Sequence, residues 1–240
     1  MDSAVRLDEV WKSYGNEAVL RGIDLEIEYG KITTILGTSG SGKTTILRII
    51  AGLEAPDRGS VSIDGKLVSR EGRILVPPHR RSLGFIFQDL ALWPHMTVYK
   101  NIAFGLEVRH EKGIRQKVEE IADFFGIRGH LKKYPGELSG GQQQLVALAR
   151  GLVLNPRLIL MDEPLSSLDV MKKAKIRQVI KGLIHKFSVG IIYVTHDHKE
   201  AFELSDHIVV INNGKIVERG TPSQLRESKD EFVKEFLSLN

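Results

Sequence analysis

A glycine-rich segment that runs into a lysine and two threonines lies near the start of the chain. Residues 37–44 match the pattern G-x-x-x-x-G-K-[ST], and Thr45 follows directly. Glycines allow consecutive backbone N–H groups to turn inward around phosphate oxygens. Lys43 can then reach the β- and γ-phosphates, while the Thr44 hydroxyl can ligate Mg²⁺. The residues assigned to this nucleotide site are Gly37, Thr38, Ser39, Gly40, Ser41, Gly42, Lys43, Thr44 and Thr45.

The elements predicted before and after this segment distinguish two interpretations of it, a phosphate loop and a flexible Gly/Ser-rich linker. An apolar run over residues 31–36 predicts a strand before it, and Ile46, Leu47, Ile49 and Ile50 predict a helix after it. A linker requires neither element. A phosphate loop requires both, because the helix contributes its positive end to anion binding.

An acidic pair follows a second apolar run, Leu158-Ile159-Leu160-Met161. If this run is a buried strand, Asp162 and Glu163 emerge at its carboxyl end, where ligands collect in open α/β sheets. Asp162 is suited to hold Mg²⁺, directly or through water. Glu163 could orient or deprotonate an attacking water. An acidic turn without chemistry is the alternative, and the phosphate loop in the same chain argues against it.

A histidine follows a third apolar run. His196 comes directly after the strand expected over residues 190–194, so it should lie at the same sheet edge as the acidic pair. A lone histidine at a strand end is usually structural, but the convergence of several motifs on one edge favours a functional role. Four other histidines are expected in loops or on the surface, namely His79, His95, His110 and His198.

A second glycine-rich helix start, Leu138-Ser139-Gly140-Gly141-Gln142, carries no lysine. It could also bind an anion. One nucleotide cannot easily use both glycine-rich segments if they lie on different parts of the fold. Two copies facing head to tail, each completing the site of the other, would use both. Taken alone, the segment could be an ordinary glycine-containing helix start.

The order of these motifs, GTSGSGKTT, then LSGGQ, then LILMDEP, resembles that of the ATP-binding subunits of ATP-binding-cassette (ABC) transporters. The resemblance extends from about Val5 to Pro222. It implies ATP and Mg²⁺ as ligands, with hydrolysis of ATP as the reaction. It also implies that Glu163 acts on water, while Lys43 and His196 stabilise charge on the transferred phosphoryl group.

Further roles are implied by the resemblance alone. Tyr14 matches the aromatic residue that stacks on adenine, and Gln88 matches the glutamine that senses Mg²⁺ and the attacking water. Asp169 matches the loop that joins two sites. The segment that contacts the γ-phosphate held by the other subunit is Ser139, Gly140, Gly141 and Gln142. Two residues depart from the family pattern: Leu145 stands where arginine is usual, and His198 where glutamine is usual.

The stretch over residues 76–98 is similar to that of importer ATPases for oxyanions, iron, sugars and polyamines. The resemblance therefore implies an importer subunit at the cytoplasmic face of the membrane. Its partners would be a second copy of the chain, integral membrane permease subunits and a solute-binding protein. A soluble ABC-type ATPase, as in iron–sulfur cluster assembly, is the alternative. The sequence names no solute.

The elements that must position these residues form an α/β fold. Alternating apolar residues between Val5 and Ile27 predict antiparallel strands, and later strands alternating with helices predict a mostly parallel sheet. Further strands are expected over residues 60–63, 83–87 and 207–211. No strand pattern occurs over residues 101–153, which predicts a helical subdomain at about 90–155. We expect a single domain over residues 1–240, with amphipathic helices in its tail and no C-terminal regulatory domain.

The composition argues against several other classes of protein. The 240 residues are 42% hydrophobic and 27% charged, and no apolar run approaches a membrane span. The first residues also lack the apolar core of a signal peptide. The absence of cysteine excludes disulfides and cysteine-ligated zinc or iron–sulfur clusters in this chain. The net charge is +4, but the densest basic stretch, residues 172–177, is interpreted as a solvated helix face, so no nucleic-acid partner is expected.

Overall fold

The structure, a computed structural model, describes residues 3–238. Within them the chain forms two β-sheets and eight α-helices. The strands are β1 (Ser3–Tyr14), β2 (Glu17–Glu28), β3 (Ile32–Gly37), β4 (Arg58–Ile63), β5 (Lys66–Arg70), β6 (Arg73–Ile74), β7 (Leu83–Ile86), β8 (Leu158–Asp162), β9 (Gly190–Thr195), β10 (His207–Asn212) and β11 (Lys215–Gly220). The helices are α1 (Lys43–Ala51), α2 (Val98–Val108), α3 (Ile114–Phe124), α4 (Gly140–Leu152), α5 (Val170–Phe187), α6 (His198–Leu204), α7 (Pro222–Arg226) and α8 (Glu231–Ser238).

The first sheet is antiparallel, with strand order β2-β1-β4-β5-β6. The alternation that predicted β1 and β2 places Leu7 opposite Leu25, and both side chains are buried. Gly59 lies where β4 crosses the irregular middle of β1. A Cβ atom there would approach the Glu9 carbonyl oxygen to 2.2 Å, so only glycine fits.

The second sheet has the order β11-β10-β3-β9-β8-β7, and its members are parallel except for β11. All residues of β3, β8 and β9 are buried, as expected for central strands covered on both faces. Because parallel strands end at the same edge, the residues that follow β3, β8 and β9 lie side by side. The sheet thus brings together the segments after Gly37, after Met161 and after Val194.

The helices that cover the parallel sheet belong to two groups. Helix α1 packs its apolar face against β3, β8 and β9. Helices α2, α3 and α4 pack on one another, and their Ile102, Val118 and Leu148 belong to an apolar core that continues into β8, β9 and α5. No strand lies between Val98 and Leu152, all of which the structure describes. The predicted fold class, including the inserted helical region, is confirmed.

The tail forms two short helices that close the far side of the sheet. Leu225 of α7 and Val233 and Phe236 of α8 pack with buried residues of β10 and α6. This agrees with the amphipathic helices predicted there. Over residues 3–238, no helix combines the length and apolar character that crossing a membrane requires.

Three expectations need correction. The strand expected over residues 60–63 pairs antiparallel with β1 instead of joining the parallel sheet. Strands β5, β6 and β11 had no sequence signal, because they are short or largely polar. The basic stretch over residues 172–177 is not wholly a solvated face. Lys173 lies 2.8 Å from Glu200, and the buried Arg177 lies 2.7 Å from Glu203, since α6 presents carboxylates to α5.

Candidate functional site

The glycine-rich loop leaves the carboxyl end of β3 and enters α1 at Lys43. Gly42 has a φ of 101°, and a Cβ atom there would lie 2.5 Å from the Leu20 side chain, so the turn requires glycine. Lys43 is buried, and its Nζ donates hydrogen bonds to the carbonyl oxygens of Gly37 at 2.9 Å and Thr38 at 2.7 Å. Burial lowers the pKa of Lys43, and the nearby carboxylates partly oppose this effect.

Three features of this loop fit a phosphate group. The Ser41 hydroxyl is buried, yet it has no hydrogen-bond partner among the described residues. Such a group is costly unless a ligand or water satisfies it. Gly40 has open space around the position of its missing side chain. The loop also stands at the N-terminus of α1, whose first turn carries no acidic residue to repel an anion.

The carboxylate at the end of β8 meets this loop. Asp162 is buried, and its Oδ1 accepts a hydrogen bond of 2.8 Å from the Thr44 hydroxyl. Burial raises the pKa of Asp162, and the bond from Thr44 lowers it in part. A hydroxyl and a carboxylate side by side are the oxygen ligands that Mg²⁺ prefers, so these two residues fit that ion.

Glu163 and His196 lie in contact at the same edge. Glu163 Oε2 is 3.1 Å from His196 Nδ1. The Glu163 side chain is mostly buried, whereas that of His196 is more than half exposed. Glu163 has a φ of 41°, which is strained for a residue with a side chain, and its N–H is held by the carbonyl oxygen of Val194 at 3.0 Å. Asp162 and Glu163 thus have different partners, Thr44 for the first and His196 for the second.

A buried polar network supports the turn that carries His196, and sequence reasoning missed it. Glu200 accepts hydrogen bonds from the hydroxyl groups of Tyr193 at 2.8 Å and Thr195 at 3.0 Å, and from Lys173 at 2.8 Å. The Thr195 hydroxyl in turn accepts the N–H of Asp197 at 3.0 Å. The network thereby holds Thr195 and Asp197, the two residues on either side of His196.

Gln88 and Tyr14 lie further out. Gln88 is exposed and follows the end of the edge strand β7. Tyr14 is 46% exposed, and its hydroxyl donates a hydrogen bond to Glu54, just beyond the end of α1. Lys12 lies over the ring, with its Nζ 5.7 Å from the centroid. The Tyr14 ring is thus close to α1 and open to a stacking partner.

The second glycine-rich segment forms the start of α4. The Ser139 hydroxyl accepts the N–H of Gln142 at 3.4 Å, and the Gln142 side chain accepts the N–H of Ser139 at 2.9 Å, which is a capping box. Ser139 and Gly140 are exposed, and Gly141 is partly exposed. Among the described residues, no hydrogen bond or ion pair joins this segment to the phosphate loop of its own chain.

Asp169 has a structural role that was not predicted from the sequence. It caps α5, because its Oδ1 accepts the N–H of Lys172 at 3.0 Å, and its carboxylate pairs with the Lys172 ammonium at 2.6 Å. The hydrogen bonds from Lys172 lower the pKa of Asp169. The neighbouring Gly140 lies against Leu168, so this loop borders the second glycine-rich segment.

The surface position predicted for His198 is wrong. Its ring is buried edge-on against Phe236, at a centroid distance of 4.4 Å, because α8 folds back over α6. His79, His95 and His110 are exposed, as predicted. Leu145 is partly buried and packs against the core of the helical region, which an arginine would do less well.

Arg81 is a second residue whose environment the sequence did not indicate. Its buried guanidinium donates hydrogen bonds to the carbonyl oxygens of Ile49 and Ile50 at the end of α1 and to Val68 of β5, at 2.7 to 3.0 Å. Burial lowers the pKa of Arg81 to about 10. This side chain joins the end of α1 to β5 of the antiparallel sheet.

Fold and loop together define a P-loop nucleotide-binding protein, and comparison with known proteins gives the family. Residues 20–166 match the family described as ABC transporter. The trehalose/maltose import ATP-binding protein of Thermococcus litoralis is 45% identical over 98% of this chain and 64% of its own length. The spermidine/putrescine import ATP-binding protein of Clostridium acetobutylicum is 40% identical over 100% of this chain and 67% of its own length.

Two solved structures support the same family. The protein cbiO1 of Clostridium perfringens, part of the ABC transporter complex cbiONQ, superposes with a TM-score of 0.85 and 29% identity, over 100% of this chain and 96% of that one. A nucleotide-free ATP-binding cassette from an ABC transporter gives a TM-score of 0.84 and 25% identity, over 99% of this chain and 100% of that one.

The chain belongs to the ABC transporter family, and the predicted resemblance to that family is confirmed. It spans about two thirds of the length of the curated relatives it matches. The expectation of a single domain over residues 1–240, without a C-terminal regulatory domain, stays a prediction. Nothing in the comparisons favours the iron–sulfur alternative.

Proposed function

We propose that the chain is the ATP-hydrolysing subunit of an ABC importer. It would act at the cytoplasmic face of a membrane, peripherally bound to separate permease subunits that receive solute from a solute-binding protein. The observation that carries the proposal is the convergence of Lys43, Asp162, Glu163 and His196 on one sheet edge. The similarity to proteins named for the import of sugars, polyamines, sulfate and iron supports the direction of transport.

Lys43, Tyr14, Glu163 and His196 would each have a separate role in the hydrolysis of ATP. Lys43 releases its two loop carbonyls and turns to the β- and γ-phosphates, and Tyr14 stacks on adenine. Glu163 accepts a proton from water as the water oxygen bonds to the γ-phosphorus, and the bond from that phosphorus to the β-phosphate oxygen breaks. His196 holds Glu163 in place and stabilises charge on the transferred group.

Mg²⁺ would be held by Thr44 and Asp162, with Gln88 as the third predicted ligand, and would neutralise charge on the phosphate oxygens. The hydrogen bond between Thr44 and Asp162 already places their two oxygens 2.8 Å apart. Gln88 follows the edge strand β7 and leads into the helical region, so it lies where a movement of that region reaches the ATP site.

A second copy of the chain would supply the remaining contacts to the nucleotide. The exposed residues Ser139 and Gly140, with Gly141 and Gln142, offer backbone N–H groups at a helix start that their own phosphate loop does not use. Beside them, Val170 and Met171 are 71% and 81% exposed next to Asp169. Apolar side chains this exposed at a functional edge are typical of an interface. A head-to-tail dimer would cover them.

The helical region offers a surface for the membrane subunits. Trp93 packs on Phe104 with ring centroids 4.6 Å apart, and Phe104 and Val108 remain exposed on α2. Nearby, a cleft of about 800 Å³ between α2, α3, α4 and α5 has apolar residues such as Ile121 and Phe124 in its lining, together with charged residues such as Glu120 and Lys186. A helix of a permease could enter such a groove.

Co-purification tests the transporter proposal. The tagged chain is isolated from detergent-extracted membranes of its own cells, and the retained proteins are identified. We expect at least one integral membrane protein, lost when Phe104→Ser and Val108→Ser are combined and kept in the control Leu67→Ser, which changes an exposed leucine of the other sheet. Retrieval of a soluble scaffold and no membrane protein would overturn the proposal.

A further inference from the structure

A cavity of about 810 Å³ lies beside His196, between α6 and the two tail helices. Phe202, Leu225 and Leu237 give it an apolar floor. Its size is that of sites that enclose small organic molecules. None of the residues assigned above to ATP or Mg²⁺ lines it except His196.

Three cationic side chains, Lys199, Arg226 and Lys234, line the cavity. Among the ion pairs formed within residues 3–238, none includes any of the three. The carboxylate of Asp197, which also lines the cavity, is already engaged by Lys173 at 3.3 Å and by the N–H of Glu200 at 3.1 Å. The cavity therefore carries an excess of positive charge over an apolar floor.

His198 adds a polar group that its surroundings leave unsatisfied. The residue is 9% exposed and lines the cavity, and neither ring nitrogen has a hydrogen-bond partner among the described residues. Phe236 covers one side of the ring. A buried polar group without a partner destabilises a fold unless something else binds it.

We propose that this cavity binds a small organic anion, namely a carboxylate or phosphate group attached to an apolar body. The anionic group would lie among the three cations, and the apolar body would cover the floor. Both ring nitrogens of His198 are buried beside the cavity, so the ring would turn to donate a hydrogen bond to the anionic group. An inorganic anion would leave the floor in contact with water. Arg226 already lies over the Phe202 ring, with its Cζ 5.3 Å from the centroid, but a neutral apolar molecule would leave Lys199, Lys234 and the imidazole without a partner.

Occupation of the cavity should affect hydrolysis. His196 lines the cavity on one side and contacts Glu163 on the other, at 3.1 Å. A ligand that moves the imidazole therefore changes the position of the proposed base. This consequence rests on the proposed function, whereas binding itself does not.

Calorimetry on the purified full chain tests the binding, with octanoate, octanol and inorganic phosphate as probes. We expect octanoate to bind at one site, more tightly than octanol or phosphate. The double variant Arg226→Gln with Lys234→Gln should weaken octanoate binding by about tenfold or more. Lys229→Gln, an exposed lysine of the same tail outside the cavity, should not. The proposal is overturned if octanoate fails to bind, if octanol binds equally well, or if the double variant binds octanoate unchanged.

Two further measurements test His198 and the coupling. His198→Leu keeps an apolar side chain against Phe236 but removes the ring N–H, so octanoate should bind more weakly with no loss of melting temperature. Unchanged binding would remove His198 from the site. Octanoate should change the ATPase rate of the wild type and not that of the double variant. Binding without any change in rate would overturn the coupling alone, while an inactive wild type would count against the proposed function and leave the binding result standing.

Discussion

Glu163→Gln separates ATP binding from hydrolysis. The carboxylate lies 3.1 Å from His196, whereas the residues proposed above to hold the metal are Thr44, Asp162 and Gln88. Glutamine has the same shape and keeps a group that can hydrogen-bond to the imidazole. What is lost is the ability to take a proton from water. General acid–base catalysis contributes about 10²- to 10⁴-fold, or about 3 to 5 kcal/mol at 1.36 kcal/mol per tenfold. We expect kcat to fall by that factor, with the Kd for ATP unchanged.

Phosphate release at saturating ATP and binding of a fluorescent ATP analogue measure the two quantities. Glu235→Gln, which changes an exposed carboxylate of α8, is the matched control and should alter neither. Because Glu163 and His196 are in contact, the losses from Glu163→Gln and His196→Ala should not add in the double variant. Hydrolysis near the wild-type rate in Glu163→Gln would refute the assignment. A rise in Kd as large as the fall in kcat would show that the residue is structural.

Three other variants test separate parts of the structure. Lys43→Ala should weaken ATP binding by about tenfold or more, since charged hydrogen bonds to phosphate are lost. An unchanged affinity for a fluorescent ATP analogue would contradict the loop assignment. Arg81→Leu should lower the free energy of unfolding by about 3 to 5 kcal/mol in urea, because buried carbonyl oxygens lose their donors. A loss below about 1 kcal/mol would show that water replaces the guanidinium. Burial lowers the pKa of His198, so the unfolded state binds the proton first as pH falls below about 6.5, and stability declines there. His198→Leu should flatten the fall of melting temperature between neutral pH and pH 5. Parallel curves for the two proteins would contradict this.

The phosphate loop and the acidic pair were predictable because their signals are local. A strand, a turn that requires glycine and a helix follow one another within residues 32–51, and no distant contact is needed to recognise them. Parallel strands then place Asp162 and His196 at one edge by geometry alone. The contact between Glu163 and His196 depends on their position at that edge and also on the positive φ of Glu163. No sequence pattern predicts this φ.

His198 and Arg81 were not predictable, for a physical reason. The sequence around His198 is polar, and what buries its ring is Phe236, 38 positions further along the chain. Arg81 lies in a run of prolines and basic residues that reads as a surface loop, yet its partners come from α1 and β5. Whether a charged side chain is buried depends on elements that meet only in the folded protein.

The helical region was recognisable by the absence of strand patterns, whereas the short strands β5, β6 and β11 were not. β6 is two residues long and exposed, and β11 is partly exposed along its length. Neither needs the apolar alternation that marks a buried strand. Such strands are stabilised by backbone hydrogen bonds to a neighbouring strand, and these bonds place few requirements on the types of side chain.

The central claim is that a second copy of the chain completes each ATP site, and energy transfer between labelled copies tests it most directly. The chain has no cysteine, so Glu17→Cys near Tyr14 and Gly136→Cys before Ser139 each introduce a single thiol at an exposed position. Both are made in the Glu163→Gln background, labelled separately with donor and acceptor, and mixed. We predict energy transfer that requires ATP and disappears on dilution below the dimer's dissociation constant, with a dimer in sedimentation. Monomers at saturating ATP, with no transfer between the two labels, would contradict the account.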